Sequence, residues 1–180
     1  MIKTVYQKSI YHSKVNLEVC KKARELILQK QELFTDKSWQ CKIRTSKNLA
    51  FNILTSSELH ELKMNIISHV ENSMFSRGFF IGGFIEESWI NIYEKDFFQE
   101  FHDHTNPIFK YLSGVIYFSE NNSGIVFDPH GQTIIPEFAD IVIFPDDLLH
   151  RVIPNENEEL RISLAFNFRL CKEEEITKLS

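Results

Sequence analysis

The sequence predicts a mainly β, α+β domain in which two helices precede an antiparallel sandwich or barrel. Three observations carry that expectation. From Phe79 onward the chain breaks into short apolar or alternating runs separated by turn residues, the spacing of antiparallel strands rather than of alternating strand–helix units. Before that point, two stretches repeat apolar residues at three- and four-residue steps, as amphipathic helices do. With 180 residues and 43% hydrophobic content the chain can bury one substantial core, so a single domain over 1–180 is expected. Within it, residues 1–78 form a helical support, 79–170 the β core, and 171–180 a solvated tail marked by the acidic triplet Glu173–Glu175.

Taken in order, a short extended start leads to Asn16, whose side chain can cap a helix running to about Phe34. Val19, Ala23, Leu26, Lys30 and Leu33 lie on its repeating stripe, and Glu18 with Lys22 forms a supporting i,i+4 pair. Trp39 to Thr45 alternates as a half-buried strand would. Thr55 and Glu58 have capping-box spacing ahead of Leu59, Leu62, Ile66, Val70 and Met74 on one helical face. Strands are then expected over Trp89–Tyr93, Phe97–His104, Tyr111–Phe118, Gly124–Phe127, Ile141–Phe144, Arg151–Ile153 and Leu160–Phe168. Asn121 to Gly124, Asp128-Pro129, Pro136 and Pro145 punctuate them.

Charge and cysteine usage narrow the function. Net charge is -5 and the pI about 5.8, with Lys and Arg scattered, so the electrostatic footprint of a nucleic-acid or anionic-membrane partner is missing and neither is expected. Cys20, Cys41 and Cys171 are odd in number and unpaired in spacing, which suits packing thiols in a reducing compartment. The opening M-I-K-T-V-Y-Q-K lacks a signal-peptide core, and no apolar run reaches the roughly 18 residues of a membrane span; a cytoplasmic location is the expectation.

The chemistry gathers in W-I-N-I-Y-E-K-D-F-F-Q-E-F-H-D-H, Trp89 to His104. On an extended strand His102 and His104 point the same way and Asp103 the other, so two imidazoles can grip one side of a metal ion. His150, at the end of an apolar strand and turn, is the natural third ligand. Arg161 opens R-I-S-L-A-F-N-F, a strand otherwise apolar; a guanidinium facing inward there is costly unless it meets an anion, and a carboxylate is its bidentate partner. The other histidines, His12, His60, His69 and His130, read as surface or structural residues, and Arg151 alternates away from the metal.

These residues carry a family resemblance. F-x-x-x-H-x-H (Phe98, His102, His104), L-S-G-V-I-Y-F, G-I-V-F-D-P, I-V-I-F-P-D-D-L-L-H-R-V-I-P and R-I-S-L-A-F-N-F together resemble the non-haem iron(II), 2-oxoglutarate-dependent oxygenases, nearest to short microbial and phage members of the prolyl-hydroxylase-like branch. The resemblance implies a double-stranded β-helix, a jelly roll related to the cupins, with N-terminal helices packed on one sheet. It implies Fe(II), 2-oxoglutarate as cosubstrate and O2, with His102 and His150 as the matching metal ligands. Arg161, with Ser163 in an R-x-S pair, matches the salt bridge to the distal carboxylate of the cosubstrate, while Tyr117, Tyr93 and, more weakly, Asn91 and Ser113 occupy positions that contact it or border the substrate. By the same analogy the reaction is hydroxylation of an unactivated C–H bond with release of succinate and CO2, and the primary substrate a peptide, protein or small molecule, with prolyl the first residue to try. Trp89, Phe97 and Phe101 are candidates for the substrate mouth, and the helical half is a candidate homodimer interface.

The chain departs from the wider family at position 104, where His104 stands in place of an aspartate. Three neutral imidazoles give the metal one negative charge fewer, which raises its redox potential and weakens its retention. Asp103 ligates only if a bulge re-aims it, so His104 is the expected third ligand. Two rivals share the donor set: a cupin-like module holding zinc or nickel without turnover, and a three-histidine zinc hydrolase.

Overall fold

A computed structural model describes residues 9–36, 43–47, 53–76, 82–120, 123–128 and 131–171. Among the described residues eleven strands form two sheets. In chain order they are β1 (Tyr11–Lys14), β2 (Thr35–Asp36), β3 (Arg44–Thr45), β4 (Gly83–Tyr93), β5 (Gln99–His102), β6 (Tyr111–Tyr117), β7 (Ile125–Phe127), β8 (Gln132–Ile134), β9 (Asp140–Pro145), β10 (His150–Val152) and β11 (Arg161–Leu170). The large sheet runs β1-β9-β6-β11-β4-β3-β2 and the small one β5-β10-β7-β8, every pairing antiparallel. The expected jelly roll is present, and strands from before residue 79 extend it on both edges of the large sheet.

Period-two alternation sorts the residues of the large sheet between two environments. Ile90 and Ile92 on β4, Ile116 on β6, Ile141 and Ile143 on β9, and Ile162, Leu164, Phe166 and Phe168 on β11 join one core with the helices α1 (Leu17–Gln29) and α2 (His60–Ser76). Val19, Ala23 and Ile27 supply the face of α1, and Leu62, Ile66 and Val70 that of α2. The alternate positions turn toward the small sheet, where Tyr117, Val142 and Phe144 pack with Ile125 and Phe127. Gly114 is required at this crossing of β6 and β11, because a Cβ there would lie 2.2 Å from Cζ of Phe166.

The helices differ from expectation in their ends. Asn16 does cap α1, its Oδ1 accepting from the amides of Glu18 at 3.0 Å and Val19 at 3.2 Å. The helix stops at Gln29, however, and Gln31–Leu33 tightens into a 3-10 turn that leaves Leu33 56% exposed, off the buried stripe. Glu18 pairs with Lys21 at 2.7 Å rather than with Lys22, which reaches toward Glu61 of α2. Before α2 the expected capping box does not form: Thr55 closes one 3-10 turn, and Glu58 sits in the next and binds Lys30 at 2.6 Å. Leu59, Leu62, Ile66, Val70 and Met74 are all buried as the periodicity requires. Of the strand expected over Trp39–Thr45, only Ile43 to Thr45 falls within the described residues, and Arg44–Thr45 is strand.

Candidate metal and cosubstrate site

The site is built on three adjacent strands of the large sheet and two of the small one. Across β4, β11 and β6, Tyr93 stands opposite Arg161, Asn91 opposite Ser163, and Ser163 opposite Tyr117. Being in register on one face, these side chains converge. From the facing sheet, His150 on β10 is the direct cross-strand partner of His102 on β5. His102, His104, His150, Arg161, Ser163, Tyr117, Tyr93 and Asn91 all line one cavity, as does Ser113.

The three imidazoles form a compact cluster. One ring nitrogen from each lies within 4.8 Å of the others, with ring centroids 4.2 Å apart for His102 and His150 and 5.3 Å for each pair involving His104. Nδ1 of His102 sits 2.9 Å from the carbonyl oxygen of Glu100, and Nδ1 of His150 2.8 Å from that of Leu148. Donation to those carbonyls places the proton on Nδ1 and leaves Nε2 with its lone pair, the form in which imidazole ligates a metal. Burial lowers the pKa of all three rings. It takes His150, beside His102, to about 3, and His104, beside both partners, to about 2. All three are therefore neutral near pH 7.

The strand expected to carry both His102 and His104 is irregular. The register of β5 against β10 slips between Gln99 and His102, and β5 ends at His102. His104 follows as loop, its amide bonded to the carbonyl oxygen of Asp146 at 2.8 Å, and that anchor turns its ring into the cluster. Asp103 stays outside: it is exposed, and its Oδ1 accepts from the amide of Thr105 at 3.1 Å. The bulge thus lies upstream of Asp103 and does not re-aim it.

Arg161 is 1% exposed and forms no ion pair among the described residues. Its guanidinium carbon is 5.4 Å from both the Tyr93 and the Tyr117 ring, and Nη1 reaches the carbonyl oxygen of Gly124 at a long 3.4 Å. Nε of Arg161 and the hydroxyl of Tyr117 are closed off from solvent and, among the described residues, have no hydrogen-bond partner. An unpaired cation and an unpaired hydroxyl buried together are costly, so their joint presence marks a place for an acceptor-rich, anionic guest. Burial pushes the Tyr117 phenol up, opposed by the neighbouring guanidinium, and keeps it a neutral donor. Tyr93 donates to Oε1 of Gln99 at 3.0 Å, and Oδ1 of Asn91 accepts from Thr45 at 2.9 Å, so these two brace the wall.

Other sequence expectations resolve simply. His12 binds Asp140 at 3.0 Å, His69 lies 3.3 Å from the Tyr11 hydroxyl, and His130 lies outside the described residues. Arg151 does point outward, over the ring of Phe101. Of the candidate mouth residues, Trp89 lines the cavity, whereas Phe101 is 42% exposed and Phe97 packs with Tyr93 in a small satellite cluster. Cys20 and Cys171 are buried free thiols, with burial pushing Cys20 up to about 12; Cys41 is not among the described residues. Sequence reasoning missed Gln99 and Lys47. The first was hidden by the register slip; the second had no signal, since it reaches the site from a turn with no periodicity.

A family model described as "Putative 2OG-Fe(II) oxygenase" matches residues 128–167, the stretch that contains His150, Arg161 and Ser163. Among curated protein sequences none is significantly similar to the chain. Among solved structures, a prolyl-4-hydroxylase from Pseudomonas putida aligns with a TM-score of 0.67 at 13% identity, over 92% of this chain and 95% of that one. The viral collagen prolyl hydroxylase of Paramecium bursaria Chlorella virus-1, solved as a 2-oxoglutarate complex, also aligns at 0.67 and 13% identity, over 94% of this chain and 100% of that one. HygX from Streptomyces hygroscopicus, solved with nickel, 2-oxoglutarate and hygromycin B bound, aligns at 0.68 with 10% identity, over 90% and 83%. The chain thus shares its fold with these structures over nearly its whole length, and the family model matches the segment that holds His150, Arg161 and Ser163.

Proposed function

We propose that the protein is an Fe(II)- and 2-oxoglutarate-dependent dioxygenase that hydroxylates an unactivated C–H bond. The observation that carries this reading is the buried Arg161 guanidinium, unpaired by any acid among the described residues and aimed into the same cavity as the three histidines. A metal module without turnover, or a hydrolase, gives that cation no task.

The residues fit the groups the reading requires. Three neutral nitrogen donors, two with the tautomer fixed by a backbone carbonyl, suit a divalent first-row metal. Arg161 and Tyr117 would hold the distal carboxylate of 2-oxoglutarate, with Ser163 between them on the same face, so that the 2-oxo acid end points at the triad. The room there is about 30 Å3, so flanking side chains have to part as the cosubstrate enters. Bound there, iron(II) supplies the centre at which oxygen is reduced. The balance is four electrons, two from the C–H bond and two from oxidative decarboxylation of 2-oxoglutarate, with one oxygen atom ending in succinate and the other in the new hydroxyl. Phe144, whose ring is 4.6 Å from that of His150, and Trp89, whose ring is 5.9 Å from that of His104, keep water away from that centre. By analogy with the prolyl hydroxylases of like fold, a prolyl residue is the first peptide substrate to try.

Anaerobic titration with iron(II) and 2-oxoglutarate tests the reading. A weak visible charge-transfer band on addition of 2-oxoglutarate, and succinate formation on admitting air, are expected. Zinc-dependent hydrolytic turnover without oxygen, with no response to 2-oxoglutarate, would replace it with the hydrolase.

A further inference from the structure

His104 is shared by two cavities. Besides the one that Arg161 lines, a second of about 230 Å3 is walled by Lys47, Glu87, Asp103, Asn106 and Asn167, with Thr105 and Tyr111 completing it. Far roomier than the cosubstrate cavity, it is open to solvent through the exposed Glu87 and Asp103, and among the described residues no aliphatic side chain lines it.

Its charges are placed rather than scattered. Lys47 Nζ sits 4.0 Å from the Trp89 ring centroid, and that ring lies 5.9 Å from the His104 ring, so a cation is held beside the triad. Burial draws the Lys47 pKa down while the negative charge of Glu87 opposes the fall. Glu87 is oriented by a relay: the Ser113 hydroxyl donates to Asn167 Oδ1 at 2.9 Å, and Asn167 Nδ2 donates to Glu87 Oε2 at 3.2 Å. Asp103 adds a second carboxylate, tied down by the Thr105 amide.

We propose, resting on the oxygenase reading above, that this second cavity seats the primary substrate and that the substrate is a small zwitterion, a free amino acid. Its carboxylate would meet Lys47 and its ammonium Glu87 and Asp103, which leaves its side chain to lie along His104 toward the metal. Among the described residues the walls offer one cation and two carboxylates, the complement of a zwitterion's two charges, and no aliphatic side chain for a prolyl ring to pack on.

The test uses the full chain loaded with manganese(II) and 2-oxoglutarate, titrated calorimetrically with each of the common free L-amino acids. At least one is expected to bind, and blocking its amino and carboxyl groups as the N-acetyl methylamide should weaken it about 100-fold. Glu87→Gln and Lys47→Met should each weaken it about tenfold while 2-oxoglutarate affinity stays as in the parent. Binding of 2-oxoglutarate with no free amino acid bound, or equal binding of free and blocked forms, overturns the inference alone, as does succinate formation driven by a proline-bearing peptide pool and by no free amino acid. Failure to bind 2-oxoglutarate overturns the oxygenase reading and this inference with it.

Discussion

Arg161 shows what a single side chain can report. Its burial is unfavourable in isolation and makes sense only with a guest anion, so Arg161→Ala is expected to weaken 2-oxoglutarate binding about 100-fold or more while leaving metal content unchanged; calorimetry and elemental analysis separate the two effects. At position 104 the absent negative charge has the opposite sign of consequence. His104→Asp is expected to tighten retention of a hard divalent ion by about tenfold, read by competition with a chromophoric chelator. Arg161 was legible as a cation on an otherwise apolar strand, and Asn91, Tyr93, Tyr117 and Ser163 through the family resemblance; the strand register then sets all five on one face. His102 and His104 were legible for a partly different reason than the one assumed, since the second imidazole arrives from a loop fixed by Asp146. Lys47 was invisible because its role depends on which turn lies beside Trp89, a long-range fact that no local pattern encodes.

At the scale of elements, long segments matched their patterns more fully than short ones. The buried face of α2 and the strand β11 were evident from the sequence, and β1 as a short extended start before Asn16, whereas β8 was not, because a strand of three residues at a sheet edge carries too few alternations to stand out. The edge strand β1 is fastened by electrostatics. Asp140 at the start of β9 accepts from the Glu137 amide at 2.8 Å, His12 at 3.0 Å and Lys14 at 3.0 Å. Burial alone would raise its pKa, but these donors outweigh burial and hold it below the ordinary carboxylate value. A depressed folded-state pKa contributes stability that is present above the unfolded value of 3.8 and lost as pH falls through the folded one. Asp140→Asn should therefore cost about 1–3 kcal/mol at neutral pH and flatten the acid limb of stability, measured by urea unfolding at pH 7 and below pH 4. At the crossing of β6 and β11, Gly114→Ala forces a methyl against the Phe166 ring and is expected to cost about 1–3 kcal/mol in the same assay.

For the whole molecule, a metal held by the three histidines would be a clasp between distant parts of the chain. Its ligands would come from β5, the loop after it and β10, and the cosubstrate would add β11 and β6. Ligands that bind only the folded chain raise its stability, so manganese with 2-oxoglutarate at about 100 times its Kd should add about 2.7 kcal/mol, seen as a rise in Tm that a chelator reverses.

The placing of β11 has one more consequence. It is the last strand in chain order among the described residues, yet it fills the gap between β4 and β6 at the middle of the large sheet. A nascent polypeptide still lacking it presents two long unsatisfied flanks, vulnerable to mispairing with neighbouring chains. Truncation ahead of Arg161 should then yield insoluble material rather than a soluble, weakened protein.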